Sequence, residues 1–153
     1  MTGLVFCPIS RAQLSGWASG GILPGRHRGY AVTAAMTEAF GLSDPEDAEY
    51  TALSIASIAG LLAHGERVVA VLELDHRPGD DEFGAVEIAD PGYAAVTALF
   101  GEDTEAGQAT EAAVALRGMT LDQAWESVTA QALLAERDLL WYGPAEWRSF
   151  DRA

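Results

Sequence analysis

A chain of 153 residues has the length of one domain, and 49% apolar residues are enough to build a buried core. The 23 acidic and 9 basic residues give a net charge of −14, and every basic residue is an arginine. This charge argues against binding to nucleic-acid phosphates or anionic membranes. It permits a basic protein partner or divalent cations, although its ordinary interpretation is solubility through self-repulsion.

Compartment is indicated by cysteine usage and by the distribution of apolar residues. The single cysteine, Cys7, excludes an internal disulfide and is typical of a reducing compartment. Residues 1–4 do not resemble a signal peptide, and the most apolar stretch, 51–63, is shorter than the roughly 20 residues of a membrane span. We therefore expect a cytoplasmic protein. The arginine and alanine usage indicates a GC-rich genome.

The first forty residues alternate between short strands and helices. In chain order, the patterns predict a strand at 4–9, a helix at about 10–19, a glycine-rich loop at 20–29, a brief strand at 30–32 and a helix at 34–40. The first of these helices begins with a capping box, in which Ser10 is the N-cap and Gln13 the third helical residue.

The longest predicted helix runs from about 44 to 63. Ser43 is its expected N-cap, in a capping box with Glu46, and Pro45 fits the first helical turn. Beyond residue 50 the segment is apolar on nearly every side, which predicts the most buried helix of the fold. Small residues recur along it at Ser54, Ser57 and Gly60, so another element can approach closely there.

The second half of the chain begins with three predicted strands, at 67–75, 84–89 and 93–100. Their short connections favour an antiparallel meander. Further on we expect a helix capped by Asp103 or Thr104 and ending near 116, then a helix over about 121–135 that begins with a capping box of Thr120 and Gln123, and last a buried strand at 138–142. Residues 145–153 form a tail that packs on the body. The fold class predicted is α+β: a single domain, 1–153, with a central, mostly antiparallel sheet and helices packed on one or both faces.

One polar turn has the composition of a metal site. Asp75, His76 and Asp80 lie at the end of a predicted strand, together with further carboxylates. Carboxylate oxygens suit Ca²⁺ or Mg²⁺, and a histidine adds affinity for Zn²⁺. The alternative is a solvated hairpin whose charges protect strand edges.

The only basic cluster in the chain is Arg26, His27 and Arg28, in the predicted loop. Two guanidiniums on a glycine-rich loop can clasp a phosphate or carboxylate, or they can pair with the abundant surface acids. Nucleophilic catalysis by Cys7 would need a histidine beside it, whereas a cysteine inside an apolar strand is usually an inert core residue.

Aromatic and acidic residues supply the remaining candidates for binding. Glu49 and Tyr50 lie near the start of the long helix, and Trp141 and Tyr142 lie on the last predicted strand. Tyrosine and tryptophan are enriched at binding surfaces, but also in ordinary cores. No motif for catalysis, phosphate binding or dinucleotide binding is present, so the sequence predicts no cofactor.

Four segments together resemble a known family: 29–33 (GYAVT), 46–53 (EDAEYTAL), 67–69 (RVV) and 138–142 (DLLWY). The sequence is similar, along nearly its whole length, to small acidic actinobacterial proteins of unknown function. The resemblance implies a stand-alone bacterial cytosolic protein and assigns no activity or functional residue.

Two hypotheses of function follow. The first is a non-enzymatic acidic binding or regulatory protein with a basic protein partner. The alternative is an enzyme or small-ligand binder that uses the Arg26–His27–Arg28 cluster or the acidic turn at His76. A scaffold that assembles through an edge strand or the C-terminal aromatic residues is a further possibility, and the oligomeric state is open.

Overall fold

An antiparallel sheet of six strands forms the centre of the fold in the described part of the chain, residues 2–103 and 106–150 of a computed structural model. Across the sheet the strands lie in the order β4-β2-β1-β3-β5-β6, and every pair is antiparallel. Their bounds are β1 Thr2–Pro8, β2 Arg26–Ala31, β3 Val68–Asp75, β4 Ala85–Ala89, β5 Val96–Gly101 and β6 Leu140–Tyr142.

Helices cover both faces of this sheet, which confirms the predicted α+β class. They are α1 Arg11–Gly20, α2 Ala34–Phe40, α3 Pro45–His64, α4 Gly107–Ala115, α5 Leu121–Glu126 and α6 Val128–Glu136, with 3₁₀ segments at Tyr93–Ala95 and Pro144–Phe150. Among the described residues, none of these helices combines the length and hydrophobicity that a membrane crossing requires.

Alternation along the strands divides the core between the two faces. On β1, Val5 and Cys7 pack with α1, whereas Phe6 packs with α3. The inner side of α3 is fully buried at Ala52, among other small and branched residues, as predicted for the most buried helix. The outer side of α3 then packs on α4, α5 and α6 through a third cluster that includes Ile58.

Local capping signals are largely confirmed. Of the three predicted capping boxes, those at Ser10–Gln13 and Thr120–Gln123 form, whereas the one at Ser43–Glu46 does not. The cap of α3 is Asp44 rather than Ser43, and its carboxylate accepts a hydrogen bond of 3.0 Å from the amide of Glu46.

The helices of the second half differ from the prediction in two places. Ala106 occupies the N-cap of α4 without a side-chain hydrogen bond, so Asp103 does not cap this helix; Thr104 lies outside the described residues. The helix predicted over 121–135 is interrupted at Ser127, which ends α5 and caps α6.

The predicted antiparallel meander is wrong. β3 pairs with β1 and β5, whereas β4 lies at the far edge of the sheet beside β2. The connection between β3 and β4, residues 76–84, is long enough to carry the chain past two strands. β3 and β4 are thus close in sequence but do not pair, because the side-chain packing and burial of a strand decide its neighbours more than the length of its connection does.

Two further corrections concern strand positions. Residues 26–28 are not in a loop but form the start of β2, where Arg26 is opposite Ala89 and Arg28 is opposite Glu87. The last strand is not buried: β6 is an edge strand, on which Leu140 is 44% and Trp141 61% exposed. In β2, pairing with the neighbouring strand β4 offsets the low strand preference of this arginine-rich segment.

The C-terminal segment lies against the sheet face that α1 also covers. Phe150 is buried, and its ring centroid lies 4.8 Å from that of Tyr142. Trp147 packs on the same core cluster. Gly101 on β5 makes room for the Phe150 ring, because a Cβ at this glycine would lie 2.3 Å from a ring carbon.

Candidate functional site

A cleft of about 750 Å³ opens between α3 and the sheet, and we name it the α3 cleft. It exists because α3 packs on β1, β2 and β3 but has little contact with β5, and the residues at the end of α6 form the opposite wall. Its volume lies within the range of roughly 300–1,000 Å³ found for small-molecule sites. Its lining consists of Leu4, Phe6, Glu46, Glu49, Tyr50, Leu53, Ser54, Ser57, Arg67, Val71, Thr97, Ala98, Phe100, Leu134, Arg137, Asp138 and Leu139.

The floor of the α3 cleft is apolar. Side chains from three neighbouring strands form it, including Phe6 from β1, Val71 from β3 and Phe100 from β5. A bulge interrupts the pairing of β3 with β5, because Val71 is opposite Ala98 while Leu72 is opposite Val96. Thr97 is the extra residue, and bulges commonly redirect a side chain next to a site.

One stripe of α3 forms the first wall. Its residues recur at the spacing of a single helix face, and they are Glu46, Glu49, Tyr50, Leu53, Ser54 and Ser57. The hydroxyl of Ser54 donates to the carbonyl of Tyr50 at 3.0 Å, and that of Ser57 donates to the carbonyl of Ser54 at 2.7 Å. The hydroxyl of Thr97 likewise donates to the carbonyl of Val71 at 3.3 Å. With their protons used in this way, these oxygens remain available as acceptors.

The mouth of the α3 cleft is acidic and aromatic. Glu46 and Glu49 are exposed in the first turns of α3, where a carboxylate is stabilised by the positive end of the helix dipole. Tyr50 beside them is 56% exposed. Asp138 contributes another exposed carboxylate from the opposite wall. This arrangement favours a cation, which can meet carboxylates and the face of an aromatic ring.

A buried ion pair closes the inner end of the α3 cleft. Arg67 is 1% exposed, and its guanidinium meets the carboxylate of Glu102 through two hydrogen bonds, one from Nε to Oε2 and one of 2.7 Å from Nη2 to Oε1. Nη2 also donates to the backbone carbonyl of Arg137 at 3.1 Å. Arg67 thus joins the segments that follow β5 and α6 to the start of β3, and so holds the outer wall in place.

Of the four aromatic and acidic residues singled out by sequence, two line the α3 cleft: Glu49 and Tyr50. Trp141 is opposite Phe100 on adjacent strands, so both side chains lie on the face of the sheet that forms the floor. Tyr142 points to the other face and packs against Phe150. The structure therefore brings Glu49, Tyr50 and Trp141 to one side of the sheet and separates Tyr142 from them.

The Arg26–His27–Arg28 cluster lines two smaller hollows at the start of β2, apart from the α3 cleft. Arg26 pairs with Glu87 at 3.3 Å, and both side chains are mostly exposed. The ring of His27 is 3.0 Å from the carbonyl of Pro24. Pairing of the arginines with surface acids, one of the two interpretations open from sequence, is thus observed for Arg26.

The acidic turn lies at the far end of β3. Asp75 accepts a hydrogen bond of 2.7 Å from the hydroxyl of Thr2, and this bond lowers the pKa of that carboxyl. The ring of His76 is 3.4 Å from the carbonyl of Leu74. Asp75 and His76 line a shallow depression that does not include Asp80. Within residues 2–103 and 106–150, no three His, Cys, Asp or Glu side chains are grouped to hold a metal ion. The metal site remains a prediction.

Cys7 is completely buried in β1 between the two neighbouring strands. Burial raises the pKa of its thiol to about 12, so the thiolate is scarce at neutral pH. The ordinary interpretation of this residue, an inert member of the core, agrees with both observations.

Sequence reasoning missed most of the α3 cleft. Its floor and its inner end come from residues far apart in the chain, such as Leu4, Arg67 and Phe100. One signal was present for Arg67, since an arginine directly precedes an apolar strand and needs an acidic partner when buried. The partner, Glu102, is 35 residues away and carries no local signature.

Comparisons with known proteins leave the site without a described counterpart. No curated protein and no solved structure matches the sequence significantly. A family described as a family of unknown function, DUF6912, matches residues 4–150, which is nearly the whole chain. The protein therefore belongs to the DUF6912 family.

Proposed function

We propose that the protein is a non-enzymatic binding protein that holds a small amphipathic cation in the α3 cleft. The observation that carries this proposal is the pairing of an apolar floor with walls of hydrogen-bond acceptors. Phe6 and Phe100 offer apolar surface to the body of the ligand. Glu46 and Glu49 receive its ammonium group at the mouth, where Tyr50 can cover it.

The negative overall charge of the protein also favours a positively charged ligand. A net charge of −14 produces a negative potential around an acid-rimmed cleft and raises the local concentration of cations. The charge of Arg67 is neutralised by Glu102 and does not reverse this preference.

Titration with matched eight-carbon probes tests the proposal. Octylamine, octanol and octanoate have the same chain and differ in the charge of the head group at neutral pH. Calorimetry should show saturable one-to-one binding of octylamine, weaker binding of octanol and no binding of octanoate. Equal affinity for octanoate and octylamine would refute the choice of a cation.

Two variants locate the binding in the α3 cleft. Glu49→Gln should weaken octylamine binding by about twofold to fivefold, because exposed charge pairs contribute roughly 0.2–1 kcal/mol. Glu111→Gln on α4 removes an equally exposed acid outside the cleft and should change nothing. Ala98→Leu fills the floor and should abolish binding, whereas Ala115→Leu at the exposed end of α4 should not.

A basic protein partner is a second candidate, favoured by a row of exposed acids at the start of α3. Asp44, Glu46, Asp47 and Glu49 all face solvent there. A peptide that alternates leucine and lysine should bind in a salt-sensitive manner, and one that alternates leucine and glutamate should not. Binding that is indifferent to ionic strength would count against this candidate. Unchanged peptide affinity in Ala98→Leu would place the peptide outside the α3 cleft.

The cytosol of an actinobacterium is the location that we infer for this activity. The exclusive use of arginine and the single buried cysteine support the inference. Fractionation of a native actinobacterial host, followed by immunodetection, should find the protein with cytosolic markers; recovery in the secreted fraction would overturn it.

A further inference from the structure

One guanidinium nitrogen of Arg67, at the inner end of the α3 cleft, makes no hydrogen bond within the described part of the chain and leaves two N–H groups unused. Nε and Nη2 of Arg67 are occupied by Glu102 and by the carbonyl of Arg137, whereas Nη1 has no hydrogen-bond partner among the described residues. Arg67 is nevertheless 1% exposed and lines the cleft. Nη1 itself is not sealed from solvent, so a ligand oxygen that enters the cleft can form a hydrogen bond to this charged donor and gain affinity.

The charge at this end selects a neutral acceptor over an anion. The carboxylate of Glu102 is itself 6% exposed and already satisfies the positive charge of Arg67. A second carboxylate from a ligand would lie near that of Glu102 in a poorly solvated place, where like charges repel strongly. An amide or carbonyl oxygen accepts the same hydrogen bond without adding charge.

Donors on the ligand can also be accommodated here. Ser57 is fully buried at this end, and its hydroxyl proton is used within α3. Its oxygen can therefore accept from an amide NH₂ group. A primary carboxamide offers both an oxygen for Arg67 and protons for Ser57, which neither a methyl group nor a carboxylate does.

The separation of the two ends sets the length of the ligand. Gly60, one turn beyond Ser57, packs against the backbone of Arg67, since a Cβ at Gly60 would lie 4.0 Å from the Arg67 Cα. Arg67 therefore lies beside the Ser57 end of the helix stripe. Glu49 is eight residues nearer the mouth, or about 12 Å at 1.5 Å per helical residue. An occupant that contacts both ends is elongated.

We propose that the α3 cleft is specific for an elongated amine whose opposite end carries a neutral carbonyl or carboxamide, bound by Nη1 of Arg67. The inference rests on the proposed function, because the amine end is the cation already assigned to Glu46 and Glu49. It adds the substrate class: the ligand has a polar group at each end and an apolar chain between them.

Three probes of matched length test the inference: octylamine, 8-aminooctanamide and 8-aminooctanoate. Calorimetry should give the amide about tenfold higher affinity than octylamine, as expected for a hydrogen bond to a charged donor. The carboxylate should bind more weakly than the amide. A purely apolar inner end would give the opposite order for the amide and octylamine, because the amide is the more polar.

The outcomes separate this inference from the proposed function. Saturable binding of octylamine with no gain from the amide overturns the inference alone. Tightest binding of 8-aminooctanoate overturns the preference for a neutral acceptor. Absence of binding by both octylamine and the amide overturns the proposed function and the inference together.

Two further measurements assign the effect to Arg67. Arg67→Lys keeps the charge but changes the donor geometry, so the ratio of the affinity for 8-aminooctanamide to that for octylamine should fall towards one, and circular dichroism reports independently whether the variant is folded. If the variant does not fold, the guanidinium NMR signals of the wild-type protein decide. They should shift on addition of 8-aminooctanamide and stay unchanged with octylamine; no shift with the amide contradicts the assignment.

Discussion

At the scale of single residues, buried polar groups set the strongest constraints on this protein. Arg67 connects three segments that meet at the inner end of the α3 cleft, and Glu102 is its only charged partner among the described residues. Such a pair need not be more stable than a well-packed apolar pair, but breaking it is costly. A residue that shapes the candidate site is thus also one that the fold cannot lose without compensation.

Replacement of Glu102 measures how much stability is lost when the buried ion pair is broken. Glu102→Gln leaves a buried guanidinium without its counter-charge and should lower the free energy of unfolding by about 3–5 kcal/mol. Urea denaturation gives the value. The control is Glu87→Gln, which removes the exposed partner of Arg26 and should cost less than about 1 kcal/mol. Similar losses in the two variants would show that the Arg67–Glu102 pair is not effectively buried.

Thiol reactivity tests the placement of Cys7. Since burial raises the pKa of this thiol to about 12 and the side chain has no exposure, the native protein should not react with a disulfide reagent at pH 8. One thiol per chain should react after unfolding in urea. Rapid modification of the native protein would contradict the position of Cys7 in the middle of the sheet.

At the scale of secondary-structure elements, features that depend on neighbouring residues could be predicted from the sequence, whereas features that depend on pairing between distant segments could not. The capping boxes at Ser10 and Thr120 depend on residues three apart, and both form as predicted. The extent of β2 was missed, because Arg26 and Arg28 have little strand preference and gain it only from pairing with β4. Its partner strand lies more than fifty residues further along the chain.

His64, the last residue of α3, makes the stability of the folded protein depend on pH. Partial desolvation lowers the pKa of His64, against an opposing effect of Glu66. The folded state therefore binds this proton less readily than the unfolded state, and stability should fall as pH drops below the unfolded pKa of about 6.5 towards the lower folded value. His64→Gln should lose less stability than the wild type between pH 7.5 and 5.5 in urea denaturation. An identical loss in both proteins would exclude a contribution from His64.

The turn before β4 packs closely against β2, and the cost of adding a side chain at Gly84 measures how tightly. Gly84 has a φ of +80°, and a Cβ there would lie 2.2 Å from the carbonyl oxygen of Ala31. Gly118 has nearly the same φ, +84°, but open space around it. Gly118→Ala should cost only the conformational penalty of about 1–2 kcal/mol, and Gly84→Ala clearly more, in denaturant unfolding. Equal costs would mean that the backbone at Ala31 yields easily.

At the scale of the whole molecule, strand order determines where a site can form. β4 lies at the far edge, so β5 pairs directly with β3 and lies beyond the three strands on which α3 packs. From the sequence, Glu49 and Tyr50 were found by residue type alone. The cleft beside them was not, because its volume results from how α3, α6 and three strands pack, and Leu4 and Phe100 show no local sign of meeting there.

The net charge predicts that added salt will increase the stability of the folded protein and weaken its binding of octylamine. A charge of −14 destabilises the folded state through self-repulsion, so NaCl that shortens the Debye length from about 30 Å to about 8 Å should raise the melting temperature. The same salt screens the attraction between the acidic mouth and a cation, and should weaken octylamine binding.

A charge-reduced variant serves as the control for this pair of effects. Replacing Glu38, Asp80, Glu111 and Glu136 with their amides removes four exposed acids that do not line the α3 cleft. The rise in melting temperature with salt should become smaller, because less repulsion remains to be screened. The loss of octylamine affinity with salt should persist, since Glu46 and Glu49 are intact. If the variant lost both responses together, the attraction of the cation would come from the molecule's overall field and not from the acids at the mouth.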